Sequence, residues 1–284
     1  MSANLAASVR ARLLNLAKAE QSDFNQVLVR FALERILYRL SQSPFADQFL
    51  LKGALLFTLW YDQPHRPTRD ADLLGFGSSD LESLRQTFAQ IAGIEVNDGI
   101  IFQSGSVHIE AIRKEAGYGG ARVLIDGELA KARCKTQIDI GFGDAVTPEP
   151  LHAMYPVLLA DLPAPALRTY PVYTVISEKV HAIALLGMAN TRLKDYLDLA
   201  VLFERETLDS QILLSALQAT FKRRGLAFPA TLPAGLTSEF SEDPARQAMW
   251  RSFLRKNELP AMSLPAVVAT LATRLQPLLG TMRA

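Results

Sequence analysis

Residues 49–60 read FLLKGALLFTLW, and this stretch decides how the first half of the chain is expected to fold. Its first three residues are apolar, and the run ends at Lys52 and Gly53. A short apolar run closed by a glycine is typical of a buried strand that leads into a tight turn. The apolar segment Ala54–Trp60 follows the glycine. The stretch therefore predicts a strand, a turn and a helix.

The sequence on either side of this stretch changes its periodicity twice. Residues 9–17 and 24–40 carry apolar side chains at helical spacing, and Ser22 is placed to be the N-cap of the second helix. Residues 94–143 mostly alternate between apolar and polar side chains, as strands do. From Ser177 onward the pattern predicts helices over residues 177–187, 191–205, 209–224, 244–256 and 264–279.

The order of these elements predicts two parts of different class. An α/β or α+β part comes first, and a helical part follows it. Three prolines between Pro163 and Pro171 mark the expected boundary, since proline interrupts both helices and strands. We therefore expect one domain over residues 1–165 and a second over residues 166–284.

Composition excludes several classes of protein. Of the 284 residues 49% are hydrophobic and 21% are charged, which excludes a disordered chain. The single cysteine, Cys134, excludes an intramolecular disulfide and a cysteine-rich zinc site. The longest apolar stretches are far shorter than the roughly 20 residues of a membrane span, and residues 1–21 lack the apolar core of a signal peptide. We expect a cytoplasmic protein with no membrane partner.

The net charge of +1 conceals a small asymmetry along the chain. Residues 1–160 contain 16 basic and 18 acidic side chains, whereas residues 161–284 contain 14 and 11. Arg251 and Arg255 share one face of a predicted helix in the basic part. Such a face is either a solvated surface or a surface for the backbone of RNA.

Three aspartates form the first group that could carry chemistry. Asp70 and Asp72 are two residues apart on a predicted strand, so both side chains point to the same face. Asp139 lies between two isoleucines on another predicted strand, where a charge requires a partner. Three carboxylates on two strands suit one or two Mg²⁺ ions that hold a nucleoside triphosphate. The alternative is that Asp70 and Asp72 are solvated carboxylates at the start of a strand.

The second group lies on two predicted helices in the later part of the chain. Thr174 or Ser177 is expected to cap the first of these helices, which places Lys179 in its first turn. The helix dipole disfavours a cation there, so Lys179 is better explained if it contacts an anion. Lys194 and Asp198 are spaced i,i+4 on the second helix, as in an ordinary surface salt bridge.

Five motifs occur in an order that resembles a known family. They are LKGA at residues 51–54, RPTRDADLL at 66–74, IDIGFGD at 138–144, EKVHA at 178–182 and RLKDYLDL at 192–199. With these motifs the chain resembles the nucleotidyltransferase AbiEii/AbiGii toxin family, within the polymerase-beta-like nucleotidyltransferase superfamily. The family supplies the enzymatic half of type IV toxin–antitoxin systems. The resemblance implies an α+β nucleotidyltransferase core with a mixed sheet, followed by a C-terminal helical bundle.

The resemblance also implies roles for individual residues. Asp70, Asp72 and Asp139 would be metal ligands and catalytic residues. Lys179 would contact nucleotide phosphate, and Asp195 would act as a base or orient the attacking hydroxyl. Whether Asp195 or Asp198 is the catalytic carboxylate stays open in the sequence.

One motif departs from the superfamily pattern. The glycine–serine signature before the aspartates is reduced here to Lys52-Gly53-Ala54, which has no serine. Contacts to the triphosphate would then come from backbone N–H groups of Gly53 and Ala54, and from the side chains of Lys52, Arg66 and Thr68.

The family further implies a substrate and a partner. It implies an NTP as substrate, a tRNA 3′ end or another RNA as acceptor, and a cognate antitoxin encoded nearby. Two alternatives stand beside this reading. One is a nucleotidyltransferase that modifies a protein or a small molecule, and the other is a nucleotide-binding relative without catalysis.

Overall fold

The chain divides into two compact units. The computed structural model describes residues 3–61, 68–113 and 119–279. The first unit consists of Met1–Gly143 and Leu151–Tyr170, and the second of Asp144–Pro150 and Pro171–Ala284. The chain thus enters the second unit for one short segment before it completes the first.

In its described residues, the first unit begins with two helices, then alternates between strands and helices, and ends with six successive strands. They are α1 (Ala3–Ala19), α2 (Phe24–Ser41), β1 (Phe49–Lys52), α3 (Leu55–Tyr61), β2 (Asp70–Gly75), α4 (Leu81–Gly93), β3 (Ile100–Phe102), β4 (His108–Arg113), β5 (Gly119–Leu129), β6 (Ala132–Phe142), β7 (Leu151–Met154) and β8 (Ala166–Thr169). The second unit is helical throughout its described elements. These are α5 (Val172–Leu186), α6 (Leu193–Arg205), α7 (Ser210–Arg223), α8 (Ser238–Glu242), α9 (Pro244–Lys256) and α10 (Leu264–Leu275).

The described strands form one mixed sheet. Their order is β3-β5-β6-β2-β1-β8-β7, and β4 also pairs with β5. β2 is parallel to β6 and β1 is parallel to β8, while the other pairs are antiparallel. A mixed sheet followed by helices confirms the α+β class with a C-terminal helical part.

The strand, turn and helix predicted at residues 49–60 are confirmed. All four residues of β1 are buried. Gly53 follows the strand with a φ of +74°, a left-handed conformation that glycine adopts without strain. α3 then begins at Leu55. The turn places Lys52 and Gly53 at the end of a central strand of the sheet.

The long hairpin of β5 and β6 separates a buried face of the sheet from an open one. Ala121, Val123 and Ile125 are buried, whereas Arg122 and Leu124 between them are partly exposed. α2 packs on β6, so helices cover the buried face. This alternation is the pattern of a sheet with one face against a core.

Charged groups of α2 are buried in the core of the first unit. Arg39 donates two hydrogen bonds to the carboxylate of Asp98, at 2.7 and 3.2 Å. Glu34 accepts a hydrogen bond from the backbone N–H of Leu158 at 2.7 Å.

α2 begins one residue later than expected from an N-cap at Ser22. Asp23 is the N-cap, because its carboxylate accepts the backbone N–H of Asn25.

The core of the second unit is built around α5, which packs against α6 and α7. Among the described residues, Val172–Ala189 is the one segment with the length and hydropathy of a membrane span, and 44% of it is buried in the protein. Core helices of globular proteins pass the same test, so the segment is weak support for a span.

The segment Asp144–Pro150 is held by a side chain of α5 and by Arg224, which directly follows α7. The hydroxyl of Thr174 donates to the carbonyl of Thr147 and accepts from its backbone N–H, both at 2.9 Å. Arg224 contacts the carboxylates of Asp144 and Glu178 at 2.8 and 2.9 Å. These contacts explain why the segment belongs to the second unit.

Candidate active site

A row of charged residues crosses five strands of the sheet in register. Lys52 of β1 lies opposite Asp72 of β2, and Asp72 lies opposite Asp139 of β6. Asp139 lies opposite Arg122 of β5, which in turn lies opposite Glu110 of β4. Residues that are directly opposite on neighbouring strands project to the same face. The register therefore brings together Asp72 and Asp139, which are far apart in sequence.

Asp70 lies on the same face, two residues before Asp72. Its carboxylate accepts a hydrogen bond of 2.9 Å from the hydroxyl of Thr68. Thr68 thus fixes the orientation of one of the predicted metal ligands. The sequence predicts that Thr68 contacts the nucleotide, and in the structure its hydroxyl contacts Asp70.

The carboxylate of Asp72 lies against the backbone of the Lys52-Gly53 turn. A Cβ atom placed on Gly53 would be 2.1 Å from Oδ2 of Asp72, which is far inside van der Waals contact. The glycine is therefore required twice, for its left-handed φ and for the space that Asp72 occupies.

Lys52 is buried and contacts Tyr170. Its ammonium lies 3.4 Å from the hydroxyl of Tyr170 and 5.1 Å from the centre of the ring. Tyr170 directly follows β8, and its backbone N–H donates to the carbonyl of Leu51 at 3.0 Å. The parallel pairing of β1 with β8 thus supplies an aromatic partner that the local sequence around Lys52 did not reveal.

Asp139 is held by three donors. Nε and a terminal nitrogen of Arg122 donate to its two carboxylate oxygens at 2.9 and 2.8 Å, and the amide of Gln137 donates at 3.2 Å. The hydrogen bond to Asp139 raises the pKa of Arg122, and the charges of Asp139, Asp70 and Glu110 add to the effect. The sequence predicts a role for Asp139, whereas Arg122 carries no signal in the local sequence and is found only from its contact in the structure.

Asp70 and Asp72 carry the type of side chain that would hold a divalent cation. Carboxylate oxygens are the donors that Mg²⁺ prefers, and Asp70 and Asp72 share one face of β2. Both oxygens of Asp139 accept hydrogen bonds from Arg122 instead. Over the described ranges of the chain, no three His, Cys, Asp or Glu side chains are grouped as a metal site. The assignment of Asp139 as a metal ligand stays a prediction.

The second group of predicted residues forms a buried ion-pair cluster within the second unit. The ammonium of Lys179 on α5 donates to Asp195 at 2.9 Å and to Asp198 at 2.6 Å on α6. Nε of Arg192 donates to the other oxygen of Asp195 at 2.7 Å. Burial opposes ionisation of Asp195, but Lys179 and Arg192 outweigh it and hold its pKa below the usual range.

The placement of Lys179 in a first helical turn is wrong. α5 begins at Val172 after Pro171, so Lys179 lies in the middle of the helix. The hydroxyls expected to cap the helix are used elsewhere, since Ser177 donates to the carbonyl of Tyr173 and Thr174 binds Thr147. The helix dipole therefore gives no argument for a phosphate at Lys179. Its cationic charge is matched by Asp195 and Asp198, which are both fully buried.

Arg66, a predicted contact of the triphosphate, lies outside the described residues. Its assignment stays a prediction.

A comparison with known families identifies the chain. The family model described as "Nucleotidyl transferase AbiEii toxin, Type IV TA system" matches residues 35–273, which is most of the sequence. The chain belongs to the AbiEii nucleotidyltransferase toxin family. The resemblance read from the five motifs is thus confirmed, and the charged row on the sheet belongs to the matched region of an AbiEii protein.

Two solved structures are similar to this AbiEii protein, both from Helicobacter pylori. JHP933 is 17% identical and has a TM-score of 0.49, with 89% of this chain and 91% of that chain covered. A structure assigned provisionally as a nucleotidyltransferase is 16% identical and has a TM-score of 0.49, with 91% and 97% covered. No curated protein matches the chain.

Proposed function

We propose that the protein is an Mg²⁺-dependent nucleotidyltransferase that moves an NMP from an NTP to an acceptor hydroxyl, and that the acceptor is a tRNA 3′ end. The observation that supports this most is the strand register. It brings Asp72 beside Asp139 and Asp70 on one face of the sheet, next to the turn at Gly53, in a chain of the AbiEii family.

The residues of the first unit suit such a reaction. Asp70 and Asp72 would hold the cation, and Thr68 keeps Asp70 in place through its hydroxyl. Mg²⁺, when bound, neutralises charge on the triphosphate and on the leaving pyrophosphate. The backbone N–H groups that follow Lys52 would contact phosphate oxygens.

We assign two residues of the second unit to the same reaction, on the strength of the family's motif order. Lys179 would contact nucleotide phosphate, and Asp195 would orient the acceptor hydroxyl or accept its proton. The acceptor oxygen bonds to the α-phosphorus, the bond from that phosphorus to the bridging oxygen breaks, and pyrophosphate leaves.

Transfer of label tests the proposal. Purified protein is incubated with each α-labelled NTP and Mg²⁺, together with tRNA, total RNA or total protein, and the labelled fraction is identified. We expect label at the 3′ end of tRNA with the wild type and none with Asp72→Asn. Asp126→Asn is the matched control, because Asp126 is a half-exposed aspartate on β5 that contacts Lys135.

The same assay separates the alternatives. Label in protein or in a small molecule would show that the acceptor is not tRNA and would leave the proposed nucleotidyl transfer in place. Incorporation that persists in Asp72→Asn would overturn the mechanism. Mg²⁺-dependent NTP binding without any incorporation would indicate a binding protein that has kept the fold.

The toxin role has its own test. We propose that the activity arrests growth and that a cognate antitoxin encoded nearby relieves the arrest. Induced expression of the wild type is expected to stop growth, whereas Asp72→Asn is expected to leave it unchanged. Co-expression of the neighbouring reading frame should restore growth. Equal arrest by both variants would separate toxicity from catalysis.

A further inference from the structure

Arg122 occupies the position in the charged row where a divalent cation would compete with it. Two like charges, Asp72 and Asp139, are neighbours in the middle of the row. Carboxylates held this close repel each other unless a cation lies between or beside them. In the structure the cation beside Asp139 is the guanidinium of Arg122.

The contact leaves little of Asp139 for another ligand. A carboxylate has about four lone-pair positions. Arg122 takes one on each oxygen, and the amide of Gln137 takes a third. A bidentate guanidinium–carboxylate pair is also among the stronger side-chain hydrogen bonds in proteins. A cation could gain an oxygen of Asp139 only at the expense of these bonds.

The side chain of Arg122 can move away from Asp139 when a cation displaces it. Its side chain is 35% exposed, whereas that of Asp139 is 12% exposed. Glu110 lies opposite Arg122 on β4, on the far side from Asp139. The guanidinium can therefore turn from Asp139 toward Glu110 and solvent without leaving a buried charge unpaired.

We propose that Arg122 is an internal counter-cation that sets the affinity of the Asp70, Asp72 and Asp139 site for divalent cations. It holds Asp139 in place while the cation is absent and gives up that carboxylate when the cation binds. Arg122 is thus a positioning residue. The inference rests on the proposed function, because the cation it concerns is the one that function requires.

Binding of Mn²⁺ alone, without nucleotide, tests the inference. Calorimetry or the Mn²⁺ resonance signal gives the affinity of the full chain. Removal of a positive charge beside the site is expected to tighten Mn²⁺ binding by about tenfold in Arg122→Gln. Arg122→Lys keeps the charge, loses the bidentate geometry, and should fall between Arg122→Gln and the wild type.

Lys135→Gln is the matched control. The substitution removes one positive charge from β6. Lys135 is exposed, however, and its ammonium pairs with Asp126 at 3.6 Å, not with Asp139. Its effect on Mn²⁺ affinity should be less than about twofold, because solvent screens exposed charges. In the double variant Arg122→Gln with Asp139→Asn, the gain in affinity should disappear.

A second readout keeps the test decisive if Arg122→Gln is less stable. A purely structural ion pair would lower the thermal midpoint of the variant equally with and without Mn²⁺. We expect Mn²⁺ to raise the midpoint of Arg122→Gln by more than that of the wild type. Unchanged or weaker Mn²⁺ binding in Arg122→Gln and in Arg122→Lys would overturn the inference.

The outcome is separable from that of the proposed function. Nucleotidyl transfer by the wild type, together with unchanged Mn²⁺ affinity in Arg122→Gln, would reject only the role of Arg122. Tighter Mn²⁺ binding in the variant, with no transfer to any acceptor by the wild type, would reject only the proposed reaction.

Discussion

At Gly53 the carboxylate of Asp72 leaves no room for a side chain. Gly53→Ala adds a Cβ that would meet the carboxylate of Asp72, and it also places alanine at a positive φ. We expect a loss of about 2–4 kcal/mol in the free energy of unfolding. Displacement of Asp72 should abolish nucleotidyl transfer as well. Urea unfolding and the labelling assay measure the two effects.

Gly77 provides the control for this substitution. It has a φ of +95°, and a Cβ atom there would meet nothing within 4 Å. Gly77→Ala therefore carries only the backbone strain, about 1 kcal/mol, and should keep full transfer activity. If the two alanine variants have the same stability and the same transfer activity, the close approach of Asp72 to the turn matters for neither.

Local sequence identifies some residues of the candidate site and cannot identify the others. Gly53 is marked by the end of an apolar run, and Asp70 and Asp72 are marked by their spacing of two. Arg122 and Tyr170 carry no such mark. Arg122 meets Asp139 through the register of a hairpin, and Tyr170 meets Lys52 through a strand that returns more than a hundred residues later.

At the scale of elements, the lysine that joins α5 to α6 is predicted to matter for stability. Lys179→Met leaves Asp195 and Asp198 buried with less positive charge beside them. Breaking a buried ion pair by removing one partner costs about 3–5 kcal/mol. We expect a loss of this size in the free energy of unfolding of the second unit. Urea unfolding monitored by the fluorescence of Trp250 measures it.

Lys194→Met is the control on α6, because Lys194 is exposed. A surface substitution of this kind changes stability by about 0.5 kcal/mol or less. The comparison also decides how a loss of transfer activity in Lys179→Met is interpreted. If Lys179→Met remains as stable as Lys194→Met, the cluster is not a structural requirement, and any loss of activity reports on chemistry.

Two features of the elements cannot be predicted from sequence patterns: the register of β5 with β6, and the start of α5. The hairpin of β5 and β6 turns at Ala130 and Lys131, both with positive φ, instead of at an Asn-Gly or Asp-Gly pair. Without that signal, the strands are predictable and their register is not. The start of α5 is likewise hidden, because Thr174 and Ser177 resemble caps, whereas Thr174 bonds Thr147 outside the helix and Ser177 bonds the carbonyl of Tyr173 inside it.

At the scale of the molecule, neither of the two units is one continuous stretch of the chain. Residues 144–150 belong to the second unit and residues 151–170 to the first. The strands β7 and β8 that bring the chain back have only four residues each, and β7 is mostly exposed. Short strands with exposed side chains lack the alternation that reveals longer ones. The prolines in the sequence therefore do not show that residues 151–170 return to the first unit.

Among the described residues, Glu34 in the first unit and His181 in the second are buried groups whose shifted pKa values affect stability below pH 7. In the first unit, burial raises the pKa of Glu34 to about 7, against the opposing charge of Arg35. In the second, burial and the charge of Arg224 lower the pKa of His181 to about 4. Between about pH 4.5 and 7 the folded first unit binds the extra proton, so its stability falls as pH rises. Between about pH 4 and 6.5 the unfolded second unit binds the extra proton, so its stability rises with pH.

A change from pH 7 to pH 5 is therefore expected to stabilise the first unit and destabilise the second, by about 2 kcal/mol each. The chain has two tryptophans, Trp60 in the first unit and Trp250 in the second, so Trp250→Phe and Trp60→Phe variants report on one unit each during urea unfolding. Glu34→Gln should remove the shift of the first unit only, and His181→Asn that of the second only. The assignment fails if both units shift in the same direction, or if either shift survives its own substitution.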